Sequence, residues 1–304
     1  MPDGTHWTLA DMPDQSGRVA VVSGANSGIG YATAQALALK GGAVVMACRD
    51  LEKAHAAADE IRAELEQAAG AGVVTVMRLD LADLDSVAAF ALDFKAHYER
   101  LDLLINNAGI MRPPYQLTRQ GFESQFGVNH LGHFALTSRL LERLLHTAGA
   151  RVVTVSSLFE RLGRINFDDL QARKGYQASR AYGQSKLANM LFTYELQRRL
   201  AAAGSDVMAV AAHPGWAATQ LQKSAFIQFF NRFLAQKPEK GALPTLYAAT
   251  APEVQGGDYI GPGGFMELRG PPKKVTAGAA AHDPAVAARL WAVSEEMTGV
   301  RCPI

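Results

Sequence analysis

Two side chains four residues apart, Tyr182 and Lys186, could move a proton to or from a reacting oxygen. Hydride addition to a carbonyl builds an alkoxide that needs a proton, so such a site requires an acid whose pKa lies near the working pH. A phenol, at about 10, is too weak an acid by itself. On a helix the two residues share a face, and the Lys186 ammonium would favour the Tyr182 phenolate and depress its pKa. The pair would then act as acid in reduction and as base in oxidation. Alone, a Y-x-x-x-K pattern can equally be a solvated helix face. Ser156 and Ser157 end an apolar run, where a hydroxyl could donate to a developing oxyanion, and the residues themselves leave both serines in contention.

A second constellation is the turn Ser23-Gly24-Ala25-Asn26-Ser27-Gly28-Ile29-Gly30. Glycines permit a tight turn and close backbone approach, so the free N–H groups of a following helix can face a pyrophosphate. The spacing is G-x-x-x-G-x-G, different from G-x-G-x-x-G, and a plain strand-to-helix loop is the alternative. An apolar strand before it and a helical pattern after it favour nucleotide binding. About 20 residues beyond the glycines, where NAD-using folds place an acid on the ribose, the chain reads Cys48-Arg49-Asp50. A guanidinium suits a 2′-phosphate and a carboxylate repels it, so Arg49 favours NADP (NADPH) over NAD. Asp50 could instead face the ribose, or simply cap the next helix.

Positioning these groups requires a scaffold that brings several strand ends together. From Arg18 the chain alternates short β-branched runs with Ala/Leu-rich amphipathic stretches, the pattern of parallel strands and crossover helices. Strands are predicted at 19–23, 43–47, 73–79, 103–106, 152–156 and 207–212, with a seventh near Tyr259; helices at 29–40, 51–68, 84–98, 121–145 and 182–203. The fold class is therefore α/β: a doubly wound, Rossmann-type, mostly parallel sheet of about seven strands with helices on both faces, in one domain over 1–304. Cofactor and catalytic motifs occupy 18–219; 220–304 would supply substrate-side helices and the C-terminal segment. The irregular insertion 158–180, the Phe-rich run 221–236 (Phe226, Phe229, Phe230, Phe233) and the Pro113-Pro114-Tyr115 loop are candidate substrate walls, or surface elaborations packed on the core.

Taken together, Gly24-x3-Gly28-x-Gly30, Asn106-Asn107-Ala108-Gly109, Asn129, Ser157, Tyr182-x3-Lys186 and Pro214-Gly215 resemble the short-chain dehydrogenase/reductase family, from about Arg18 to Thr219. The stretches 129–134, NHLGHF, and 182–189, YGQSKLAN, resemble its retinol-dehydrogenase-like branch. Ser23 stands where the family has Thr and keeps the hydroxyl. The resemblance selects Ser157 of the serine pair, and implies that Asn129 completes a water-mediated proton relay to Lys186, which also holds the nicotinamide ribose. It further implies that Asn107, Ala108 and Gly109 line the adenosine side, that Asp80 and Leu81 meet the adenine, and that Pro214, Gly215 and Thr219 wrap the nicotinamide carboxamide and pyrophosphate. Read from the residues alone, Asn106–Gly109 is a strand-ending turn, Asp80 caps the helix near Leu84, and Pro-Gly is a simple turn. The family's oligomers use the helices after strands four and five, here 121–145 and 182–203, so a homodimer or homotetramer is expected.

Composition narrows the rest. With 304 residues, 48% hydrophobic and 19% charged, the chain can bury a large core without disulfides. A net charge of +1 gives no footprint for nucleic acid or a polybasic membrane anchor. Cys48 and Cys302 are too far apart in sequence to suggest a disulfide framework, the N-terminus lacks a secretory pattern, and no apolar run suits an integral membrane segment, so a cytoplasmic protein is expected, with peripheral membrane contact left open. His130 and His133 lack an evident third ligand, which favours packing over a metal site. The expected activity is NAD(P)-dependent hydride transfer to or from a carbonyl or alcohol of a lipophilic small molecule. Competing readings are a catalytically silent NADP-binding sensor or scaffold, and a relative of the light-driven protochlorophyllide reductases; the intact catalytic set argues against the first, and the lack of a cysteine between Ser157 and Tyr182 against the second.

Overall fold

The runs expected to be strands are buried as their places in a sheet require. The computed structural model describes residues 6–215 and 237–304, so Thr219 and the Phe-rich run lie outside the described residues. Strands form at β1 (Val19–Ser23), β2 (Ala43–Cys48), β3 (Val73–Arg78), β4 (Leu103–Asn106), β5 (Arg151–Val155), β6 (Met208–Ala212) and β7 (Tyr259–Pro262). An eighth, β8 (Pro272–Val275), was not anticipated; its sequence PKKV alternates too briefly to stand out. Among the described residues the eight strands form one sheet in the order β3-β2-β1-β4-β5-β6-β7-β8, with β8 antiparallel to β7. Central strands β1, β4 and β5 are buried along their whole length, as parallel strands covered on both faces must be. Edge strand β3 alternates with solvent instead.

The chain steps outward from β1 to β2 and β3, then returns to place β4 against the other side of β1. That reversal opens a crevice at the carboxyl ends of β1 and β4, where ligands bind in open α/β sheets. Helices α1 (Gly28–Leu39), α2 (Leu51–Leu65) and α3 (Leu84–His97) cover the first half. The single helix expected over 121–145 is divided: a turn at Ser124–Phe126 and a π-helical segment at Gly127–Leu131 precede α4 (Gly132–Leu145). The long helix α5 (Ala178–Ala202) begins before Tyr182, so the irregular insertion ends at Gln177. Helices α6 (Pro238–Thr250) and α7 (Pro284–Thr298) give bounds to the helices expected within 220–304 and complete the layers.

Helix α7 packs on the two helices after strands four and five. From Ala181 to Thr193 every residue of α5 is buried within the protomer, and Gly132–Ser138 of α4 likewise. Trp291 of α7 packs edge-on to Phe134 of α4 at 5.1 Å and stacks on Phe192 of α5 at 5.8 Å, while the Arg199 guanidinium lies 4.4 Å over its ring. Along these stretches the C-terminal helix supplies part of that cover. Trp291 is 2% exposed, and truncating a buried aromatic costs ~3–5 kcal/mol. Trp291→Ala is expected to lower unfolding stability by about that amount in urea titration; a loss under about 1 kcal/mol would show that α7 is dispensable to the core.

Candidate active site

The glycine turn is built for a backbone approach. Gly24 and Gly28 hold φ of +68° and +57°, a region costly for other residues, and a Cβ on Gly30 would collide with the Gly24 carbonyl and the Asn107 side chain. Ser27 precedes α1 but makes no side-chain cap, so the first-turn amides have no side-chain acceptor. Positive φ, close packing and an uncapped helix start at the sheet crevice fit a dinucleotide pyrophosphate. Asn26 and Ile29 belong to this turn, with Ile29 buried beneath it.

Ser23 is wholly buried, and its hydroxyl works inside the protein. The oxygen accepts the Asn107 and Ala108 amides, both at 3.0 Å, and lies 2.9 Å from His133 Nε2. His133 Nδ1 sits 3.0 Å from the Asn129 carbonyl, which can only accept, so Nδ1 donates and Nε2 takes the Ser23 proton. Burial pulls the His133 pKa down to about 4, so the imidazole is neutral in this chain. His130 is likewise buried, its Nε2 2.8 Å from Ser294 Oγ. Both histidines therefore serve packing and hydrogen bonding, and no metal-holding cluster occurs among the described residues.

At the end of β2, Asp50 caps α2, accepting the Lys53 amide at 3.2 Å, and pairs with the Lys53 ammonium at 2.8 Å. The Arg49 side chain is exposed and forms no salt bridge among the described residues. The cap of α3 is Asp83, whose side chain accepts the Asp85 amide, rather than Asp80. Asp80 closes its own turn by accepting the Ala82 amide at 3.0 Å. Leu81 beside it is buried, and Gly132 lets α4 approach its backbone closely.

The four expected catalytic side chains converge beyond β4 and β5. Tyr182 and Lys186 share a face of α5, with Lys186 Nζ 5.8 Å from the Tyr182 ring centre. The Ser157 hydroxyl lies close enough to the Tyr182 phenol to favour its ionised form, whereas Ser156 is buried and donates to the Lys186 carbonyl at 2.9 Å. Ser157, not Ser156, therefore lies beside the phenol. Asn129 lies in the π-helical segment; its Nδ2 donates to Ser185 and to the Ile110 carbonyl, and its Oδ1 accepts the Ile110 amide. A Cβ on Gly109 would sit 3.2 Å from Asn129 Oδ1 and 3.6 Å from Lys186 Nζ, so the loop after β4 runs between them. Pro214 and Gly215 follow β6 at the same edge of the sheet.

The Tyr182 pKa moves opposite to the expected depression. Burial pushes the phenol up to about 12, with Ser157 opposing, and draws Lys186 down to about 8. The ammonium donates to the Val155 carbonyl at 3.0 Å and lies over the aromatic ring, so desolvation outweighs mutual attraction.

Two proposed substrate walls meet each other. Tyr176 from the insertion donates to the Pro113 carbonyl at 2.8 Å, and its ring lies 5.2 Å from that of Tyr115. Buried Gln125 joins them, accepting the Arg112 amide and donating to Tyr176 Oη and the Ala178 carbonyl. Phe159 adds an edge-on contact to Tyr182 at 5.4 Å. Tyr176, Gln125 and Phe159 were not singled out in the sequence, since no local spacing links residues brought together across the insertion.

A family model for short chain dehydrogenases matches residues 18–228. This chain is a member of that family. Mouse retinol dehydrogenase 12 is 43% identical over 292 residues, 94% of this chain and 87% of that protein. Human retinol dehydrogenase 14 is 44% identical over 303 residues, 93% of this chain and 87% of that protein. A crystal structure of an uncharacterized protein from Mycobacterium paratuberculosis has 46% identity and a TM-score of 0.84, covering 99% of this chain and 100% of that one. The RhlG/NADP complex of Pseudomonas aeruginosa has 25% identity and a TM-score of 0.62, covering 80% and 94%. This short-chain dehydrogenase thus belongs to the retinol-dehydrogenase-like branch, and is an oxidoreductase acting on CH–OH or C=O groups with NAD(P).

Burying Lys186 has a measurable cost. Its pKa is about 8 folded against 10.5 for the free side chain, so between those values the unfolded chain binds more protons and stability rises with pH. Below pH 8 the full penalty, about 3 kcal/mol, is present. Lys186→Met is expected to be inactive yet more stable than the parent at pH 7, with the gap closing between about pH 8 and 10.5. Tyr182 acts oppositely, losing stability above pH 10 as the unfolded phenol ionises, but does so in both proteins. A gap independent of pH over that range, measured by urea unfolding, would contradict the assignment.

Proposed function

We propose that this enzyme is an NADP-preferring oxidoreductase for a lipophilic aldehyde, ketone or alcohol, with Tyr182 as its general acid and base. The observation that carries this reading is the placement of the Tyr182 phenol beside Ser157 and one helical turn from Lys186, at the mouth of the sheet crevice. When bound, the nicotinamide supplies or accepts the hydride.

The chain's own residues handle the oxygen and its proton. Ser157 Oγ accepts the Phe159 amide at 3.3 Å, so its O–H is shared between the neighbouring phenol and the substrate oxygen. A phenol near 12 stays protonated at neutral pH, yet is acidic enough to protonate an alkoxide. Lys186, near 8, is the stronger acid of the two, so returning a proton to the phenolate runs downhill. Asn129, fixed by three hydrogen bonds, holds the neighbouring loop against Lys186. In oxidation the same groups act in reverse.

Cofactor choice follows from the division of labour after β2. Asp50 is committed to Lys53 and the helix start, so its carboxylate is occupied, while the exposed Arg49 guanidinium has room for a 2′-phosphate. The lipophilic substrate is supported by the aromatic residues Phe159, Tyr115 and Tyr176 and by the retinol dehydrogenases among its relatives. NADPH oxidation should be followed with short- and long-chain aldehydes. Turnover is expected to favour the long chains, and activity confined to small polar carbonyls would overturn the substrate class. Arg49→Ala is expected to raise KM for NADPH on the order of tenfold and that for NADH less than about twofold. Equal losses with both would remove Arg49 from the 2′-phosphate site.

A further inference from the structure

A polar junction, buried at His213 and open to solvent at Arg161, joins three segments that the catalytic groups do not explain. His213, at the exit of β6, has no accessible side-chain surface. Its Nδ1 accepts the Gly215 amide at 3.2 Å, which leaves the proton of a neutral ring on Nε2, and Nε2 lies 3.0 Å from Glu267 Oε2. The same carboxylate receives Arg161 Nη2 at 2.9 and 3.0 Å, and that nitrogen also donates to the Thr276 carbonyl. Arg161 lies four residues beyond Ser157. The turn after β6, the segment after β5 and the loop between β7 and β8 therefore meet on one carboxylate.

The backbone around Glu267 is shaped for this contact. Met266 and Glu267 hold φ of +49° and +57°, a region that side-chain-bearing residues rarely adopt. Such strain persists only where surroundings enforce it, and the junction supplies the enforcing contacts. Gly215, at φ +68°, packs so closely on the Glu267 and Leu268 carbonyls that a Cβ there would collide with them. Hydrogen bonds from His213 and Arg161 hold the Glu267 carboxyl near 2, so its charge persists throughout the working range. Glu267 lies outside the family-model match, which ends at 228.

We infer that Glu267 is a positioning residue: through His213 and Arg161 it fixes the Pro214–Gly215 turn against the segment carrying Ser157, and so sets the geometry of the nicotinamide end of the site. This rests on the proposed NAD(P)-dependent reading and on the family resemblance, which implies that Pro214 and Gly215 face the nicotinamide. Glu267 acts through His213 and Arg161, so its effect is felt as cofactor affinity and alignment.

The test compares Glu267→Ala, Glu267→Gln and Arg161→Met with the parent, measuring NADPH Kd by fluorescence titration, kcat with a long-chain aldehyde, and the unfolding midpoint. Expected results are a Kd raised on the order of tenfold in Glu267→Ala, with kcat falling severalfold at saturating NADPH. Gln keeps an acceptor for His213 and should recover most of that loss, within about threefold of the parent. Arg161→Met, at a partly exposed residue, tests the same link from the other side and should raise Kd at least threefold, which also decides the matter if Glu267→Ala does not fold. Folded variants that bind NADPH and turn over like the parent, with only a lowered midpoint, would reduce the junction to a structural role and overturn the inference. A parent that binds NADPH but reduces no carbonyl would instead contradict the proposed function, and the Kd comparison would still stand.

Discussion

One hydroxyl, that of Ser23, holds the nucleotide half of the site to the catalytic half. It receives the amides that begin the loop after β4 and gives its proton to His133, whose other nitrogen reaches the carbonyl of Asn129. The Asn107 side chain returns the connection by donating to the Ser23 carbonyl at 2.8 Å. Each of these groups is largely removed from water, and leaving a buried amide unpaired costs ~1–3 kcal/mol. The β1 and β4 ends must therefore stay in register, and Gly109 arrives between Asn129 and Lys186 as a consequence. Alanine at position 23 would remove every bond made by this hydroxyl at once, leaving the Asn107 side chain on the backbone carbonyl.

The proposed catalytic pair shows the opposite economy, in which buried ionisable groups are kept at the expense of stability. Tyr182 and Lys186 are 8% and 4% exposed, and burial shifts both away from their charged forms. Well-packed apolar residues at these positions would be easier to fold. The resulting order of acidities, with the ammonium below the phenol, gives proton transfer a direction that two exposed side chains would lack. Neighbouring charges cooperate: His133 stays neutral in part because Lys186 repels a second positive charge there.

Much of this was legible in the sequence, for physical reasons. Strands β1 and β4 appear with the boundaries expected from their apolar runs, because central parallel strands are buried on both faces and leave no polar positions to blur them. The catalytic side chains of α5 could be placed on one face by spacing alone, and the positive φ of Gly24 and Gly28 follows from the turn they must make. The failures have causes too. The π-helical segment around Asn129 is a one-residue change of pitch that apolar periodicity does not register. Proline in the first turn of α6 and α7, with Asp283 capping the second, was a usable signal that was not read. Glu267 and Gln125 carry no local pattern, since their partners lie more than 10 residues away in sequence. The Tyr182 pKa went the other way because helical spacing predicts proximity but says nothing of desolvation.

The most direct test of the central claim is a single-turnover measurement of hydride transfer in Tyr182→Phe, preloaded with NADPH and mixed with a long-chain aldehyde. The account predicts NADPH affinity within about threefold of the parent and a hydride-transfer rate reduced by at least 10²-fold, because the ring remains and only the transferable proton is lost. A rate close to the parent's would show that another group protonates the oxygen, and the assignment of Tyr182 would be wrong.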